Sequence, residues 1–253
     1  MTRFSVIIPT LQKSCRLPAL VSMYCAHFLV GEVIIVNNAI KPLRFDHEKV
    51  RVLQQTENIY VNPAWNLGAS MARFPLLIIS NDDISFDPCM IDVAASCLGT
   101  KVGIIGPHPA SFNVPSKPRR VRLIHAYQRT PGYGTLMYMR AESYITIPAD
   151  LLIWSGDNWL FYQQRLRNMY LKGFGIETEM QTTSALPEFH HQKMLDQRLY
   201  FAKYHNGAYR RRFPVGSALS RLNTLSTLTL QRVGRLVRGH ARRLASIVHG
   251  TRR

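Results

Sequence analysis

Uninterrupted apolar runs alternate with helical stretches through the first hundred residues, and few architectures accept that pattern. Phe4–Ile8, Glu32–Val36, Val50–Leu53, Leu76–Ile79 and Val102–Ile105 read as short strands. Strands without a polar face are buried on both sides. Between them, residues 15–30, 62–73 and 88–98 have helical period, with Asn62 placed to cap the second helix and Pro63 at its first position. The reading is an α/β chain, a parallel doubly wound sheet with helices on both faces. In such sheets ligands sit at the carboxyl ends of the strands. Three of those ends are polar here: Pro9-Thr10, Asn37-Asn38 and Asn81-Asp82-Asp83.

The second half is less regular. Residues 107–120 hold four prolines and read as a loop, and Gly132 and Gly134 precede a strand-like run over 135–139. The segment Ile153–Trp159 leads into a helix that runs to Lys172 and is ended by Gly173 and Gly175. An extended run over Ile176–Met180 and a helix over 194–205 complete the domain. A chain of 253 residues suits one domain with an appendage. The four cysteines form no CxxC pair, which excludes a zinc ribbon and suits reduced thiols in a cytosolic compartment. No signal peptide is visible, and no apolar run approaches the roughly 20 residues of a membrane span. The expectation is a protein that is soluble or lies on a surface.

Charge is distributed unevenly. The formal net charge is +17, yet residues 1–196 hold 19 basic and all 15 acidic residues. From Gln197 to Arg253 there are 13 Lys and Arg and no Asp or Glu. A cluster at Arg210–Arg212 is followed by Pro214 and Gly216, and apolar residues then recur at helical spacing from Leu222 to Ile247 with Arg232, Arg235, Arg238 and Arg242 mainly opposite. The split is a domain over 1–205 and a basic amphipathic tail over 206–253. The tail suits an anionic membrane surface. Packing on its own domain, a second subunit (a homodimer), or nucleic acid are the alternatives, and nucleic acid is disfavoured by the sparse aromatics among the arginines.

Several positions carry chemistry. Asp82 and Asp83 repel one another unless a cation joins them, and oxygen ligands suit Mg²⁺ or Mn²⁺ with phosphate oxygens completing the shell. The alternative is a turn in which Asp83 caps the next segment. His190 and His191 read either as a further metal ligand or as a solvated turn. Asp157, just before a helix, is an N-cap or a general base, and the flanking Trp154 and Trp159 suit a sugar acceptor. Gly68, in a helix with Asn66, implies either core packing or close approach of a ligand or strand.

Together, Ser5-Val-Ile-Ile-Pro-Thr10, Glu32-Val-Ile-Ile-Val-Asn-Asn38, Asn66-Leu-Gly68 through Arg73, Asn81-Asp82-Asp83, Gly156-Asp157 with its helix, Gly173 and His190-His191 resemble a family 2 glycosyltransferase of the GT-A fold, bacterial polysaccharide or glycolipid type. The resemblance covers about residues 4–205 and implies a Rossmann-like mixed sheet. It places the nucleotide-sugar at Pro9, Thr10, Asn37, Asn66, Asn81 and Asp82. It makes Asp83 the main metal ligand, with His190 or His191 completing the metal or diphosphate site, and Asp157 the base. Three positions depart from the family pattern: Asn37 and Asn81 stand where Asp is usual, and Gly156 replaces the first residue of an acidic pair.

The implied activity is inverting, Mn²⁺- or Mg²⁺-dependent transfer from a nucleotide-diphosphate sugar, with UDP or dTDP favoured, to an acceptor hydroxyl. A lipid-linked or glycan acceptor at the cytoplasmic face of the membrane fits the tail. Basic residues at 117–122 (Lys117, Arg119, Arg120, Arg122) are placed either to close over the diphosphate or to be solvated. A transferase acting on DNA or protein, or a non-catalytic nucleotide-sugar-binding module, are the competing functions.

Overall fold

A computed structural model describes residues 2–114, 120–178 and 187–214. The chain divides into two units, 1–209 and 210–253. The amphipathic stretch expected over 222–247 lies outside the described residues, as do Lys117 and Arg119.

The first unit is built on an eight-stranded sheet. In chain order its strands are β1 (Phe4–Thr10), β2 (Val30–Asn37), β3 (Val50–Gln54), β4 (Leu76–Ser80), β6 (Val102–Pro107), β7 (Arg122–Ala126), β8 (Leu136–Arg140) and β9 (Arg167–Lys172). Their spatial order is β3-β2-β1-β4-β8-β6-β9-β7. A small antiparallel pair, β5 (Ile84–Phe86) with β10 (Ile176–Thr178), lies apart from it. β1 pairs in parallel with both β2 and β4, at the centre of a parallel block that continues to β3.

The alternation of each strand sends its apolar residues to two cores. Val6, Ile8, Val33, Ile35 and Ile78 join the face packed by α1 (Leu17–Ala26) and α3 (Cys89–Cys97). Ile7 turns to the other face, where α2 (Val61–Ser70) crosses. A Cβ on Gly68 would stand 2.3 Å from the Ile7 side chain. The helical glycine is therefore there for close packing of α2 on β1. All four cysteines are free.

The sheet is mixed, as the resemblance implies: β8 runs antiparallel between β4 and β6, and β7 antiparallel to β9. The structure changes the expected layout in two places. The helix expected to run to Lys172 stops at Gln163, as α4 (Gly156–Gln163), and Arg167–Lys172 is strand β9 between β6 and β7. Tertiary pairing overrides local helix preference there: the Asn168 amide accepts from the Ile104 N–H at 3.0 Å and donates to the Phe161 carbonyl at 2.8 Å, locking β9 to β6 and α4. The last long helix begins earlier than expected, as α5 (Pro187–Leu199), and loosens into a π-type turn over Tyr200–Tyr204. A short α6 (Ala208–Arg212) follows, with Tyr209 buried. Among the described residues no helix is long and apolar enough to cross a membrane.

Candidate active site

The polar strand ends do converge. β1 ends at Thr10 and β4 runs into Asn81-Asp82-Asp83, so the parallel pairing of these strands sets Thr10 beside Asp82. The Thr10 hydroxyl donates to Asp82 Oδ2 at 2.5 Å and accepts from the Gln12 N–H at 2.8 Å. Burial pushes the Asp82 carboxyl up to about 6, opposed by the Thr10 hydrogen bond and reinforced by the charge of Asp83. The next residue, Asp83, is buried and accepts from the Thr178 hydroxyl on β10 at 3.3 Å.

Asn37, fully buried at the end of β2, is saturated by the chain itself. Its Oδ1 accepts from Gln12 Nε2 and from the Ala39 N–H, each at 3.2 Å, and its Nδ2 donates to Lys41 O at 2.9 Å and Gln54 Oε1 at 2.6 Å. Those four bonds leave the side chain no capacity for a base. Its place is the wall behind the loop. Gln12, with φ of 56°, stands in front of it. Asn66 is likewise spent internally: it accepts from Tyr144 OH and the Ile147 N–H and donates to Ile147 O.

On the opposite bank, Asp157 occupies the first turn of α4 and is only 8% exposed. One short turn, Tyr133–Thr135, joins it to the strand-end carboxylates. Gly134 abuts Asp157, so that an added Cβ would stand 2.8 Å from its Cβ and 2.9 Å from Oδ2. The next residue, Thr135, accepts from the Asn81 N–H at 2.9 Å. Asp157 is also gripped by a residue that sequence reasoning missed. Arg129 donates to Oδ2 from Nε at 2.7 Å and from Nη2 at 2.6 Å, while Oδ1 accepts the Asn158 N–H at 2.9 Å.

The loop before α4 is held from two sides. Asn62 at the start of α2 donates to the Leu151 and Trp154 carbonyls. Asp196 on α5, fully buried, accepts from the N–H groups of Leu152, Ile153 and Trp154 and from Gln192 Nε2. Asp196 was also missed, although it is the chain's last acidic residue. The Asn62 contact explains the missing acid at 156: a Cβ there would lie 2.0 Å from Asn62 Oδ1, so only glycine fits.

Trp154 borders this loop, with Lys193 Nζ 4.2 Å from its ring centroid. Trp159 does not share the Asp157 side of the helix. Two residues on, it turns away, donating to Thr146 O at 3.0 Å and packing against Tyr204. Nor are His190 and His191 gathered with Asp83. Both are exposed in the first part of α5, and among the described residues no group of three or more His, Cys, Asp and Glu could hold a metal. The inner side of that helix is taken up by Phe189 against Tyr60 and by Asp196 on the loop. Arg120 and Arg122 stand exposed.

No protein-family model and no curated protein matches the sequence. Solved structures do. The S. aureus TarS 1–349 complex with UDP-GlcNAc is similar at a TM-score of 0.52 and 13% identity, over 83% of this chain and 70% of that one. GalNAc-T7 with UDP, GalNAc and Mn²⁺ is similar at 0.50 and 12% identity, over 70% of this chain and 43% of that one. The fold is GT-A.

A GT-A frame accounts for the antiparallel β8: it carries the turn over 133–135 to the centre of the sheet, between the acidic strand end and α4. The donors at that centre are of the chemical kind a divalent ion takes, although among the described residues they belong to no group of three or more metal-ligating side chains. Asp82 and Asp83 are adjacent, oxygen-only donors, and Asp82 is raised by burial with its neighbour's charge adding to the rise. A magnesium or manganese site with one or two carboxylates takes its remaining ligands from phosphate and water.

Proposed function

We propose that the chain transfers a sugar from a nucleotide-diphosphate sugar to an acceptor hydroxyl, with inversion, in a reaction that needs Mn²⁺ or Mg²⁺. The observation that carries this reading is the 133–135 turn, which sets Asp157 and the Asn81–Asp83 strand end on two sides of one short segment. A donor lying between those banks presents its anomeric carbon to Asp157 and its diphosphate to Asp82 and Asp83.

In this reading Thr10, Pro9 and Gln12 form the floor for the nucleoside, and Asn37 and Asn66 hold the loops that shape it. Asp83 and Asp82 hold the divalent ion, which supplies positive charge against the charge developing on the departing diphosphate. Asp157 takes the proton of the acceptor hydroxyl as it attacks. Arg129 fixes the direction of that carboxylate. Trp154 offers an aromatic wall for the acceptor, and Asp196 sets the loop that carries it. The complexes of TarS with UDP-GlcNAc and of GalNAc-T7 with UDP support a uridine-type donor. The cationic segment from Gln197 onward supports an acceptor at an anionic membrane surface, and polysaccharide or glycolipid synthesis as the process.

A second reading is favoured by one observation. The two-nitrogen grip of Arg129 on Asp157 suits a binding module in which Asp157 is structural. One experiment separates the two. Thermal shift with UDP, dTDP and GDP in the presence of Mn²⁺ identifies the base, and release of that nucleotide from its sugar conjugate is then measured. The transferase reading expects Mn²⁺-dependent release that Asp157→Asn removes while the thermal shift persists. A thermal shift with no turnover in the native chain leaves the binding module instead.

A further inference from the structure

The outer side of α5 is unlike the rest of the domain surface. Met194, Leu195 and Phe201 are 46%, 44% and 63% exposed. A spacing of four residues puts Met194 and Arg198 on one face of α5, with Leu195 at its margin, and Phe201 follows in the π-type turn with its ring against Tyr200 and His205. Three of the large apolar side chains most exposed among the described residues therefore lie within one strip of eight consecutive residues of one continuous helical segment. The strip is not a buried face awaiting its own domain, since α5 already spends its inner side on Phe189, Asp196 and Tyr200.

Charge decides what covers it. Arg198 sits within the strip and has no ion pair among the described residues. Lys193 and Lys203 border it, Lys193 over the Trp154 ring and Lys203 bound to Asp150. Of the helix's own acids, Asp196 is buried on the inner side, and Glu188 stands in the first turn, about two turns before Leu195. After Asp196 the chain has no acidic residue at all. A second copy of the strip, or the cationic segment over 215–253, would bring like charge against it. An anionic phospholipid surface offers acyl chain to the apolar residues and phosphate to the cations.

We infer that this strip, along α5 and the turn after it, docks the domain on an anionic bilayer. The inner side of the same helix holds the loop over 152–154 through Asp196, so docking presents the acceptor side of the proposed site to the membrane. The contact belongs to the folded domain and adds to any affinity of residues 215–253. It stands on the surface alone, and goes beyond the transferase reading by naming where a lipid-linked acceptor would meet the site.

Partition of the full-length chain onto 1:1 phosphatidylglycerol/phosphatidylcholine vesicles tests it, by sedimentation without donor or metal. The triple variant M194S/L195S/F201S lowers the partition coefficient by about tenfold or more. Arg198→Gln lowers it about fivefold at low salt and less at high salt. Native chain binds pure phosphatidylcholine far more weakly. A triple variant that partitions within twofold of the native chain overturns the proposal. So does a native dimer that the variant converts to monomer with vesicle binding unchanged, because the strip would then be an interface between copies. Since the side chains replaced lie outside the proposed catalytic groups, nucleotide release by the variant stays at the native level. Loss of vesicle binding and loss of turnover are therefore separate results.

Discussion

Carboxylates are buried at both ends of the central strands, and the two ends treat them in opposite ways. At the amino ends, Glu32 of β2 is 0% exposed and accepts from Ser5 Oγ at 2.6 Å, the Arg73 N–H at 2.7 Å, Arg73 Nε at 2.9 Å and Arg51 Nη1 at 3.0 Å. Burial works to raise this carboxyl, but the bonds from Ser5, Arg73 and Arg51 outweigh it and hold the group below its usual range. At the carboxyl ends, Asp82 is pushed up to about 6 by burial with the charge of Asp83 adding to it, and no Lys or Arg among the described residues pairs with it. Charge balanced within the chain is scaffold. Charge left unbalanced at the end where α/β sheets bind ligands is where the proposed reading seats a cation from outside.

The largest effect expected falls on the carboxyl end. Asp157→Asn lowers nucleotide release roughly 1,000-fold, the range of a positioned general base, while a thermal shift with Mn²⁺ and the matched nucleoside diphosphate persists. Turnover near native in that variant removes Asp157 from the reaction. Next in size is Glu32→Gln, which strips the amino-end cluster of its charge and leaves Arg51 and Arg73 facing a neutral amide. Breaking a buried pair from one side costs about 3 kcal/mol, and a domain of this size loses roughly 6–12 °C in Tm. Nucleotide release below the melting range stays near native. If turnover fell as far as in Asp157→Asn, the amino end would not be scaffold alone.

The same contrast sets the signs of two pH effects. Glu32 has a lowered folded value, so its contribution is present above the unfolded value of about 4.3 and is lost as pH falls further. Asp82 has a raised folded value, so the ligand-free protein is best served below its unfolded value of about 3.9 and loses stability as pH rises from there to about 6. The most this can amount to is about 3 kcal/mol. Melting curves from pH 4 to 7 check it. The native chain's Tm loses that contribution over the interval, and Asp82→Asn does not. Mn²⁺ with nucleoside diphosphate raises the native Tm above pH 6 but not that of the variant. Equal pH slopes for the two chains would mean that Asp82 is compensated after all.

The parallel block was legible because its strands are apolar on both sides, so Phe4–Ile8, Glu32–Val36 and Leu76–Ile79 announce themselves and their ends locate the polar crevice. β9 was not: Arg167–Lys172 begins and ends with a cation, and its partners β6 and β7 come from distant parts of the chain. Of the residues in the proposed site, those the sequence offers, Thr10, Asp82, Asp83 and Asp157, stand at a strand end or a helix start. The site was not readable where it rests on a crossing from elsewhere. Arg129 has nothing in its local sequence to mark it, and its partner is 28 residues away. Asp196 could have been singled out, as the last acid before a wholly basic stretch, but only the fold shows that it binds three N–H groups of one loop.

Arg129 is the residue most able to break the comparison, because it balances a carboxylate at the end where balance is not expected. If the pair were scaffold like the Glu32 cluster, its loss would be felt in stability. Its geometry makes that share smaller: Asp157 is held by one cation and its side chain is 10% exposed, where Glu32 is held by two cations and is 0% exposed. Leaving such a carboxylate half-paired costs about 2 kcal/mol, so Arg129→Met should lower Tm by roughly 4–8 °C. The catalytic cost is larger. Without the fork, Asp157 keeps only the Asn158 N–H on its other oxygen and loses its fixed orientation, and misplacing a reacting group by about 1 Å costs up to roughly 100-fold. The loss should appear in kcat with KM for the donor near native, because the donor is held from the other bank. Arg129→Lys keeps the charge and loses the two-nitrogen geometry, so it recovers the Tm and only part of kcat. Full recovery of kcat by lysine would mean that charge alone matters at this position. A large Tm loss with kcat unchanged would move Asp157 from the chemistry to the scaffold.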